Sequence, residues 1–543
     1  MIHNPILRGF NPDPSIVRVE DDYYIATSTF EWFPGVQIHH SRDLKHWRLL
    51  TRPLDSLRLL DLRGVGASQG IWAPCLTYDQ GTFYLVFTVV RAFYCNMYDT
   101  HNYIVTAQDI MGPWSDPVPL SNFGFDPSLF HDDDGRKYMV CMVTDHRVPK
   151  KYAGRLLVQE YDPQRGQLIG DRHEVYQGGS IFLEGPHLLK HDGGYYLFCA
   201  DTGTGVLHGQ TMLRSRHIFG PYEMDQTPFD VDGEAPSLLT SRHHPELYLQ
   251  KAGHADLVET QNGEWYMVHL CGRPLDRCNP VDAPRFAGIP RYMLGRETAI
   301  QRVCWTEDGW LRLANGTNLP DTEVQEPALP SCTWPELPTK DDFDSPTLDI
   351  RWQTLRLPLQ DASLAERPGW LRLRGGSGLS SRFEQSLIAQ RLTEITSTAE
   401  TCVEFSPECF KQMAGLILLY DYDNYLYLHI THDEEQGRVI SLLHAENKRY
   451  SYPCGYIAIP DNGPVRLKME MINGWVTCSY ALENGAWNAL CEPIDGSFLS
   501  DEACQEGWFT GTMVGVCCQD LTGMKLTADF DYFDLRAEQQ SSQ

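Results

Sequence analysis

The segment DDYYIA at residues 21–26 returns four more times along the first 270 residues, as a turn rich in Asp, Asn or Gly, then an aromatic residue (Lys137 in one copy), then tyrosine, then an apolar run. The other four copies are QGTFYLVF (80–87), DDGRKYMV (133–140), DGGYYLF (192–198) and NGEWYMV (262–268). The aligned tyrosines, Tyr24, Tyr84, Tyr138, Tyr196 and Tyr266, are separated by 60, 54, 58 and 70 residues. This period suits one propeller blade of four short strands, so five copies predict a five-bladed β-propeller. An all-β sandwich with coincidental hairpins explains the even spacing less well.

A second pattern lies 11 or 12 residues before each tyrosine. Its members are Asp13-Pro14-Ser15, Trp72-Ala73-Pro74, Asp126-Pro127-Ser128, Glu184-Gly185-Pro186 and His254-Ala255-Asp256. Equivalent positions of successive blades converge on the propeller axis, so three carboxylates, an indole and an imidazole are expected in one central cavity. Such groups are costly to desolvate, which favours a functional site over a packed core. Taken singly, Asp-Pro-Ser and Glu-Gly-Pro are ordinary turns, and a lone histidine or tryptophan is more often structural.

The composition narrows the function. Lys and Arg number 45 against 72 Asp and Glu, a net charge of −27 that disfavours nucleic acid and anionic membranes as partners and leaves sugars as easier ones. The N-terminus lacks the pattern of a signal peptide and no stretch is apolar enough for a membrane span, so we expect a cytoplasmic protein. The 16 cysteines are scattered and form no CxxC pair, which indicates free thiols.

The chain is long enough for two domains. The Pro-rich and acidic stretch 318–340 is predicted to be an extended linker between a propeller at 1–317 and a second domain at 341–537, with a frayed tail at 538–543. In the second domain, short β-like runs such as NYLYLHITHD (424–433) and VRLKMEM (465–471) alternate with turns, which is typical of a two-sheet β-sandwich of the jelly-roll or concanavalin-like kind.

The three axial carboxylates suit glycoside hydrolysis, which needs a proton for the leaving oxygen and an activated water on the other face of the sugar. We interpret Glu184 as the general acid and Asp13 as the base that deprotonates water. Asp126 would raise the proton affinity of Glu184 as a like-charged neighbour.

The whole chain resembles glycoside hydrolase family 43, in its β-xylosidase branch with a C-terminal β-sandwich. The resemblance is carried by GFNPDPSI (9–16), GIWAPCLTY (70–78), FDPSLF (125–130), LEGPHLL (183–189), GHADLVE (253–259), LGRETAI (294–300), DDFDSPTLDIRW (341–352), FTG (509–511) and CCQDLTG (517–523). It implies an inverting enzyme that removes terminal β-D-xylose from xylo-oligosaccharides, needs no cofactor and forms homo-oligomers. It assigns the same roles to Asp13, Asp126 and Glu184.

The resemblance also implies further site residues. Phe30 and Trp72 match aromatic walls against the pentose ring, and Thr204 and Arg296 match residues that contact the sugar. Phe509 matches an aromatic that the sandwich sends into the mouth of the pocket. His254 matches a buried axial histidine that in some relatives helps to hold Ca²⁺ or another ion, although one histidine without a carboxylate cage is a poor calcium site.

One departure concerns the substrate: relatives usually have Trp-Asp-His-Arg in the third blade, where this chain has Thr144-Asp145-His146-Arg147.

Three alternative functions stay open. An α-L-arabinofuranosidase or a dual enzyme would present the same residues, because the two pentoses display similar hydroxyls. A sugar-binding protein with a dead site fits the aromatic residues but not the three carboxylates, and a retaining five-bladed enzyme of the invertase type would differ in product stereochemistry.

Overall fold

The computed structural model describes residues 1–94, 97–147, 154–177, 182–226, 237–275, 289–483 and 485–538. The strands of the first part are, in chain order, β1 (Ile2–His3), β2 (Ser15–Val19), β3 (Asp22–Thr27), β4 (Trp32–Phe33), β5 (Gln37–Ser41), β6 (Arg48–Thr51), β7 (Gly70–Asp79), β8 (Thr82–Tyr94), β9 (Met97–Ala107), β10 (Val118–Ser121), β11 (Phe125–His131), β12 (Lys137–Val143), β13 (Arg155–Asp162), β14 (Gln167–Tyr176), β15 (Leu183–His191), β16 (Gly194–Asp201), β17 (Gly209–Ser215), β18 (Glu223–Met224), β19 (Leu239–Thr240), β20 (Gln250–Glu259), β21 (Trp265–Gly272), β22 (Glu297–Trp305), β23 (Leu311–Leu313) and β24 (Glu323–Val324). Among the described residues, none forms a helix of the length and apolar character that crossing a bilayer requires.

These strands form the five predicted blades. Their antiparallel sheets have the orders β2-β3-β5-β6, β7-β8-β9-β10, β11-β12-β13-β14, β15-β16-β17-β18 with β19 added on β17, and β20-β21-β22-β23. All five repeated tyrosines lie on the second strand of their blade and are at most 9% exposed. The turn before each tyrosine therefore closes the first hairpin of a blade, and the prediction of a five-bladed propeller is confirmed.

The ring closes where blade 5 packs against blade 1. One apolar cluster contains Ile16 and Tyr23 of blade 1 together with Val258 and Tyr266 of blade 5. A carboxylate oxygen of Asp256 accepts a hydrogen bond from the backbone N–H of Ile16 at 2.8 Å across the same seam. The first strands of blades 1 and 5, β2 and β20, are thereby joined at the closure of the ring.

The second part is a β-sandwich, as predicted. Its strands are β25 (Lys340–Asp341), β26 (Thr354–Leu355), β27 (Ala362–Ser363), β28 (Leu371–Arg374), β29 (Ser386–Arg391), β30 (Thr396–Glu404), β31 (Gln412–Asp421), β32 (Asn424–Asp433), β33 (Gly437–Glu446), β34 (Arg449–Ser451), β35 (Tyr456–Ala458), β36 (Val465–Ile472), β37 (Trp475–Leu482), β38 (Asn488–Ala489), β39 (Ile494–Asp495), β40 (Met513–Asp520) and β41 (Thr527–Ala537). One sheet has the order β27-β28-β41-β30-β36-β37-β38, with β25 on β41 and β39 on β37. The other has the order β29-β40-β31-β32-β33-β34, with β35 on β33. A large apolar core fills the space between them.

The sheet β29-β40-β31-β32-β33 packs its outer face on the propeller. Leu387 and Tyr427 of the sandwich share one apolar cluster with Phe10 and Trp32 of the propeller. Strand β26 also pairs with β4, joining Thr354 and Leu355 to Phe33 and Trp32. The two domains are thus in contact over a buried apolar surface, beside the end of the propeller that carries Phe30.

The predicted linker follows the surface of blade 1. Strand β24 pairs with β1, and the indole of Trp334 donates a hydrogen bond to the carbonyl of His46 at 3.0 Å. The guanidinium of Arg48 lies 3.9 Å from the centre of the Trp334 ring. The domain limits at 317 and 341 stay predictions, and residues 539–543 of the predicted tail lie outside the described residues.

The prediction of free thiols is wrong for one pair of cysteines. Cys454 and Cys491 form a disulfide with a Cα to Cα separation of 5.2 Å. They are 37 residues apart, and the turns before β35 and after β38 bring them together in space, which their spacing in the sequence does not reveal. The other cysteines that the structure describes are free, and most of them are buried.

Candidate active site

The innermost strand of each blade changes its backbone where it reaches the axis. Five equivalent residues adopt left-handed φ angles between 37° and 53°: Asp13, Ala73, Asp126, Gly185 and His254. In blades 2 to 5 the pairing of the first two strands also shifts register at this point. A bulge of this kind redirects side chains, so two consecutive residues can both reach the axis.

This equivalence corrects one prediction. Trp72 and Glu184 do not share the backbone position of Asp13, Asp126 and His254, because each lies one residue earlier. Their true counterpart in blade 3 is Phe125, which precedes Asp126 on β11. In four of the five blades a proline directly follows the left-handed residue, and this proline is the sequence signal that reveals the correct register.

A small pocket lies where the inner strands converge. It is lined by Asp13, Phe30, Trp72, Phe125, Asp126, Glu184, Thr204, His254, Arg296 and Phe509. The structure therefore brings together all nine side chains named from the sequence and adds Phe125. Thr204 reaches the pocket from the loop between β16 and β17, and it is half-buried.

Asp13 is held as a carboxylate. Burial alone would raise its pKa, but the Arg296 guanidinium, the His254 ring and a hydrogen bond from the Ser28 hydroxyl at 2.7 Å bring that pKa below its ordinary value. Arg296 donates directly to the other oxygen of Asp13, and His254 Nδ1 lies 3.6 Å from that oxygen. Asp13 is 5% exposed, so it is a nearly buried anion with a fixed orientation.

Glu184 and Asp126 behave in the opposite way. Burial, and then the charge of Asp13, raise the pKa of Glu184 to about 7, with Arg296 opposing them. Burial and the neighbouring carboxylates of Glu184 and Asp13 raise the pKa of Asp126 well above its usual range. Because two adjacent buried carboxyls cannot both ionise easily, the pair retains a proton near neutral pH.

The hydrogen bonds indicate which member of the pair holds the proton. Asp126 Oδ2 accepts the backbone N–H of Gly185 at 3.0 Å, which stabilises its ionised form. Oε1 of Glu184 is buried and has no hydrogen-bond partner among the described residues. The hydrogen bonds thus favour the ionised form of Asp126 over that of Glu184.

The surroundings of His254 do not fit a bound cation. Burial lowers the pKa of His254 to about 4, so the neutral ring could in principle bind a cation. Asp13, the carboxylate beside the ring, is however already paired with the guanidinium of Arg296. Gly185 lies against the ring, since a Cβ there would be 2.7 Å from Nε2. In the described part of the chain no group of three or more His, Cys, Asp or Glu residues is placed to hold a metal ion. We derive no step through a metal.

Aromatic rings form the walls of the pocket. The Phe30 and Phe509 rings are nearly parallel, at 25° with centroids 6.2 Å apart, and the Trp72 ring meets Phe509 at 76° and 5.3 Å. Phe125 contacts the edge of Trp72 at 5.8 Å. Arg296 also donates a hydrogen bond to the carbonyl of Phe509 at 3.1 Å, so one arginine contacts both a carboxylate and a wall.

Thr144 does not belong to the set of residues that lines the pocket. It follows β12, and the next residue, Asp145, pairs with the Arg147 guanidinium at 2.9 Å. Residues 148–153, which come next, lie outside the described residues.

Comparison with known proteins gives the same picture for both domains. The family described as Glycosyl hydrolases family 43 matches residues 2–311, and the one described as Beta xylosidase C-terminal Concanavalin A-like domain matches residues 340–536. The chain is 45% identical to a protein named xylan 1,3-beta-xylosidase from Vibrio sp, over 98% of each chain. It is 44% identical to a xylosidase/arabinosidase from Humicola insolens, covering 100% of this chain and 98% of that one.

A solved structure is similar over the full length. The crystal structure of a xylan beta-1,4-xylosidase from Bacillus halodurans C-125 matches with a TM-score of 0.93 and 48% identity, covering 99% of this chain and 100% of that one. The arrangement of propeller and sandwich is therefore shared with a solved relative.

Proposed function

The chain belongs to glycosyl hydrolases family 43, and we propose that it releases terminal β-D-xylose from 1,4-linked xylo-oligosaccharides by hydrolysis with inversion of configuration. One observation carries this proposal: a small pocket with aromatic walls holds the carboxyls of Asp13 and Glu184 together, in surroundings that lower the pKa of Asp13 and raise the pKa of Glu184. Two carboxyls in opposite protonation states are the minimum that glycoside hydrolysis requires.

The reaction follows from these states. Glu184 donates its proton to the glycosidic oxygen while the bond from that oxygen to the anomeric carbon breaks. A water molecule attacks the anomeric carbon from the opposite face, and Asp13 accepts the proton that this water loses. The products are α-xylose and the shortened chain. Exchange of protons with solvent then restores both carboxyls.

The other pocket residues prepare this pair. The charge of Arg296 and the hydrogen bond from Ser28 keep Asp13 ionised, so the base is available at mildly acidic pH. Asp126 shares a proton with Glu184 and accepts the N–H of Gly185, the residue that follows Glu184. As a like-charged neighbour, Asp126 disfavours the state in which both carboxyls are ionised.

The size and closure of the pocket support action at chain ends. The pocket is small and ten described residues line it, which favours one sugar ring over a longer chain. Phe509 reaches it from the sandwich and faces Phe30 across it. A continuous cleft for the interior of a polymer would need this wall to be open.

An α-L-arabinofuranosidase or dual activity is the second candidate, because the Humicola insolens relative is named for both. Proton NMR of the first products from 4-nitrophenyl β-xyloside and 4-nitrophenyl α-arabinofuranoside reports substrate preference and stereochemistry together. We expect α-xylose first, and faster turnover of the xyloside. Parallel assays on 1,4- and 1,3-linked xylobiose separate the linkages for which the Vibrio and Bacillus relatives are named. First formation of β-xylose would contradict inversion.

We also propose that the protein is a homo-oligomer, as the family resemblance implies. Multi-angle light scattering on the purified full chain should then give a mass that is a multiple of 61.9 kDa. A mass of one chain at micromolar concentration would contradict it.

A further inference from the structure

Ser68 lies outside the set of residues that lines the pocket, yet its hydrogen bonds converge on the pocket walls. It is fully buried in the segment 63–69 between β6 and β7. Its hydroxyl accepts the backbone N–H of Phe509 at 3.0 Å, and its carbonyl accepts the indole N–H of Trp72 at 2.9 Å. One residue of the propeller therefore contacts a wall from each domain.

The third bond links Ser68 to the remaining wall. Its own N–H donates to Oε2 of Glu31 at 3.1 Å. Glu31 directly follows Phe30 in the chain, and its side chain is buried. Phe30, Trp72 and Phe509 are thus all connected to Ser68, two by direct hydrogen bonds and one through its neighbour.

The segment around Ser68 is fixed from the sandwich side. Arg356 donates to the carbonyl of Val65 at 2.7 Å, and the N–H of Gly64 donates to the carbonyl of Arg382 at 2.8 Å. Gly507 lies so close to the segment that a Cβ on it would be 2.8 Å from a backbone oxygen of Ala67. The segment cannot move toward or away from Phe509 without breaking these contacts.

Ser68 also has a left-handed backbone, with φ at 57°. A residue other than glycine or asparagine is unusual there and is held by its surroundings. Glycine at this position would lack a hydroxyl, and the Ser68 hydroxyl is the hydrogen-bond acceptor for the backbone N–H of Phe509.

We propose that Ser68 is a positioning residue that sets the distance between Trp72 and Phe509 and thereby the fit of the pocket to a pentose ring. It acts through Phe509 and is not one of the residues that line the pocket beside Asp13, Asp126 and Glu184. The inference rests on the proposed function in that the fitted ligand is xylose.

The test compares Ser68→Ala with Ser68→Gly in the full chain. Both remove the hydroxyl, but glycine adopts a left-handed backbone without strain, so Ser68→Gly keeps the test valid if the alanine variant folds poorly. The readouts are kcat and KM with 4-nitrophenyl β-xyloside and the Kd for D-xylose from tryptophan fluorescence, since Trp72 and Trp508 lie beside the pocket. Each substitution is also made in a Phe509→Ala background.

We expect both variants to raise KM and the Kd for xylose by about 3- to 10-fold, the factor that one lost hydrogen bond produces, with kcat changed less than about twofold. The alkaline limb of the pH profile should stay where it is, because Glu184 is not affected. In the Phe509→Ala background the substitutions should have no further effect.

Two results would overturn the inference: wild-type KM and Kd in Ser68→Gly, or an undiminished effect of that substitution when Phe509 is already alanine. The Kd measurement distinguishes a failure of this inference from a failure of the proposed function. A wild-type protein that binds xylose but hydrolyses no pentoside would contradict the proposed function, while weaker xylose binding by Ser68→Gly would still support the positioning role.

Discussion

Replacing Glu184 with glutamine removes the proposed proton donor and leaves the shape of the pocket almost unchanged. The carboxyl has a pKa of about 7, raised first by burial and then by Asp13. It therefore changes from the protonated to the ionised form as the pH rises through the neutral range. In the wild-type enzyme, kcat/KM should fall as the pH rises through 7, because the acid is lost while Asp13 stays ionised.

The size of the effect depends on the leaving group. General-acid catalysis contributes about 10²- to 10⁴-fold, which corresponds to about 2.7 to 5.4 kcal/mol of transition-state stabilisation. Xylobiose, whose leaving oxygen needs the proton, should lose turnover by that factor in Glu184→Gln. The 4-nitrophenyl xyloside has an activated leaving group and should lose much less, and its alkaline limb near pH 7 should disappear.

The assay is kcat/KM for both substrates between pH 5 and 9. Glu31→Gln is a matched control, because burial also raises the pKa of Glu31 to about 7 but its side chain faces the backbone of Ser68 and not the pocket. The control should keep the alkaline limb. Near wild-type hydrolysis of xylobiose by Glu184→Gln, or an alkaline limb that vanishes only in the Glu31 variant, would refute the assignment of the acid.

Three further predictions concern the base, the aromatic wall and the domain contact. Asp13→Asn should reduce kcat on both substrates by about 10²- to 10⁴-fold, and a fluorosugar should label no carboxylate in the wild-type enzyme when its peptides are analysed by mass spectrometry. Phe509→Ala should reduce kcat/KM about 5- to 200-fold for xylobiose and the aryl xyloside alike, whereas Phe410→Ala, which removes an exposed ring on the sandwich, should change neither. Lys251→Met removes the cation beside the buried carboxylates of Asp501 and Glu502 and should lower the thermal midpoint, in line with a cost of about 3 to 5 kcal/mol; an unchanged midpoint would contradict this.

The fold could be predicted because its signals are local. Each blade begins with a turn and an aromatic hairpin that hardly depend on distant contacts, and the interval between hairpins gives the blade size. The same holds in the sandwich, where the run at 424–433 coincides with β32 and the run at 465–471 lies within β36. The disulfide between Cys454 and Cys491 was missed because it depends on turns that meet only in three dimensions.

The residues of the site were easier to predict than their equivalent backbone positions in the five blades. An offset of 11 or 12 residues before each tyrosine places Trp72 and Glu184 level with Asp13, but the left-handed residues lie 11 residues before the tyrosine in blades 1, 2 and 4 and 12 before it in blades 3 and 5. Counting along a strand assumes a regular ladder, and a bulge breaks that assumption where the strand reaches the site. Phe125 was overlooked for this reason, although the proline that follows Asp126 marks the position.

The contact between the domains could not be derived from the sequence by local physics at all. Phe509 and Ser68 are 441 positions apart, and neither hydrophobic periodicity nor turn chemistry relates them. The sequence indicates Phe509 only through the family resemblance, and nothing in it indicates Ser68. The carboxylates of the site come from the repeated part of the chain, which fixes them through the symmetry of the blades. One wall comes from the sandwich, which has no such repeat. Substitutions in the segments 63–69 and 507–510 can therefore change how well a pentose fits while Asp13 and Glu184 keep their protonation states, so the fit of the sugar and the chemistry are controlled by different parts of the fold.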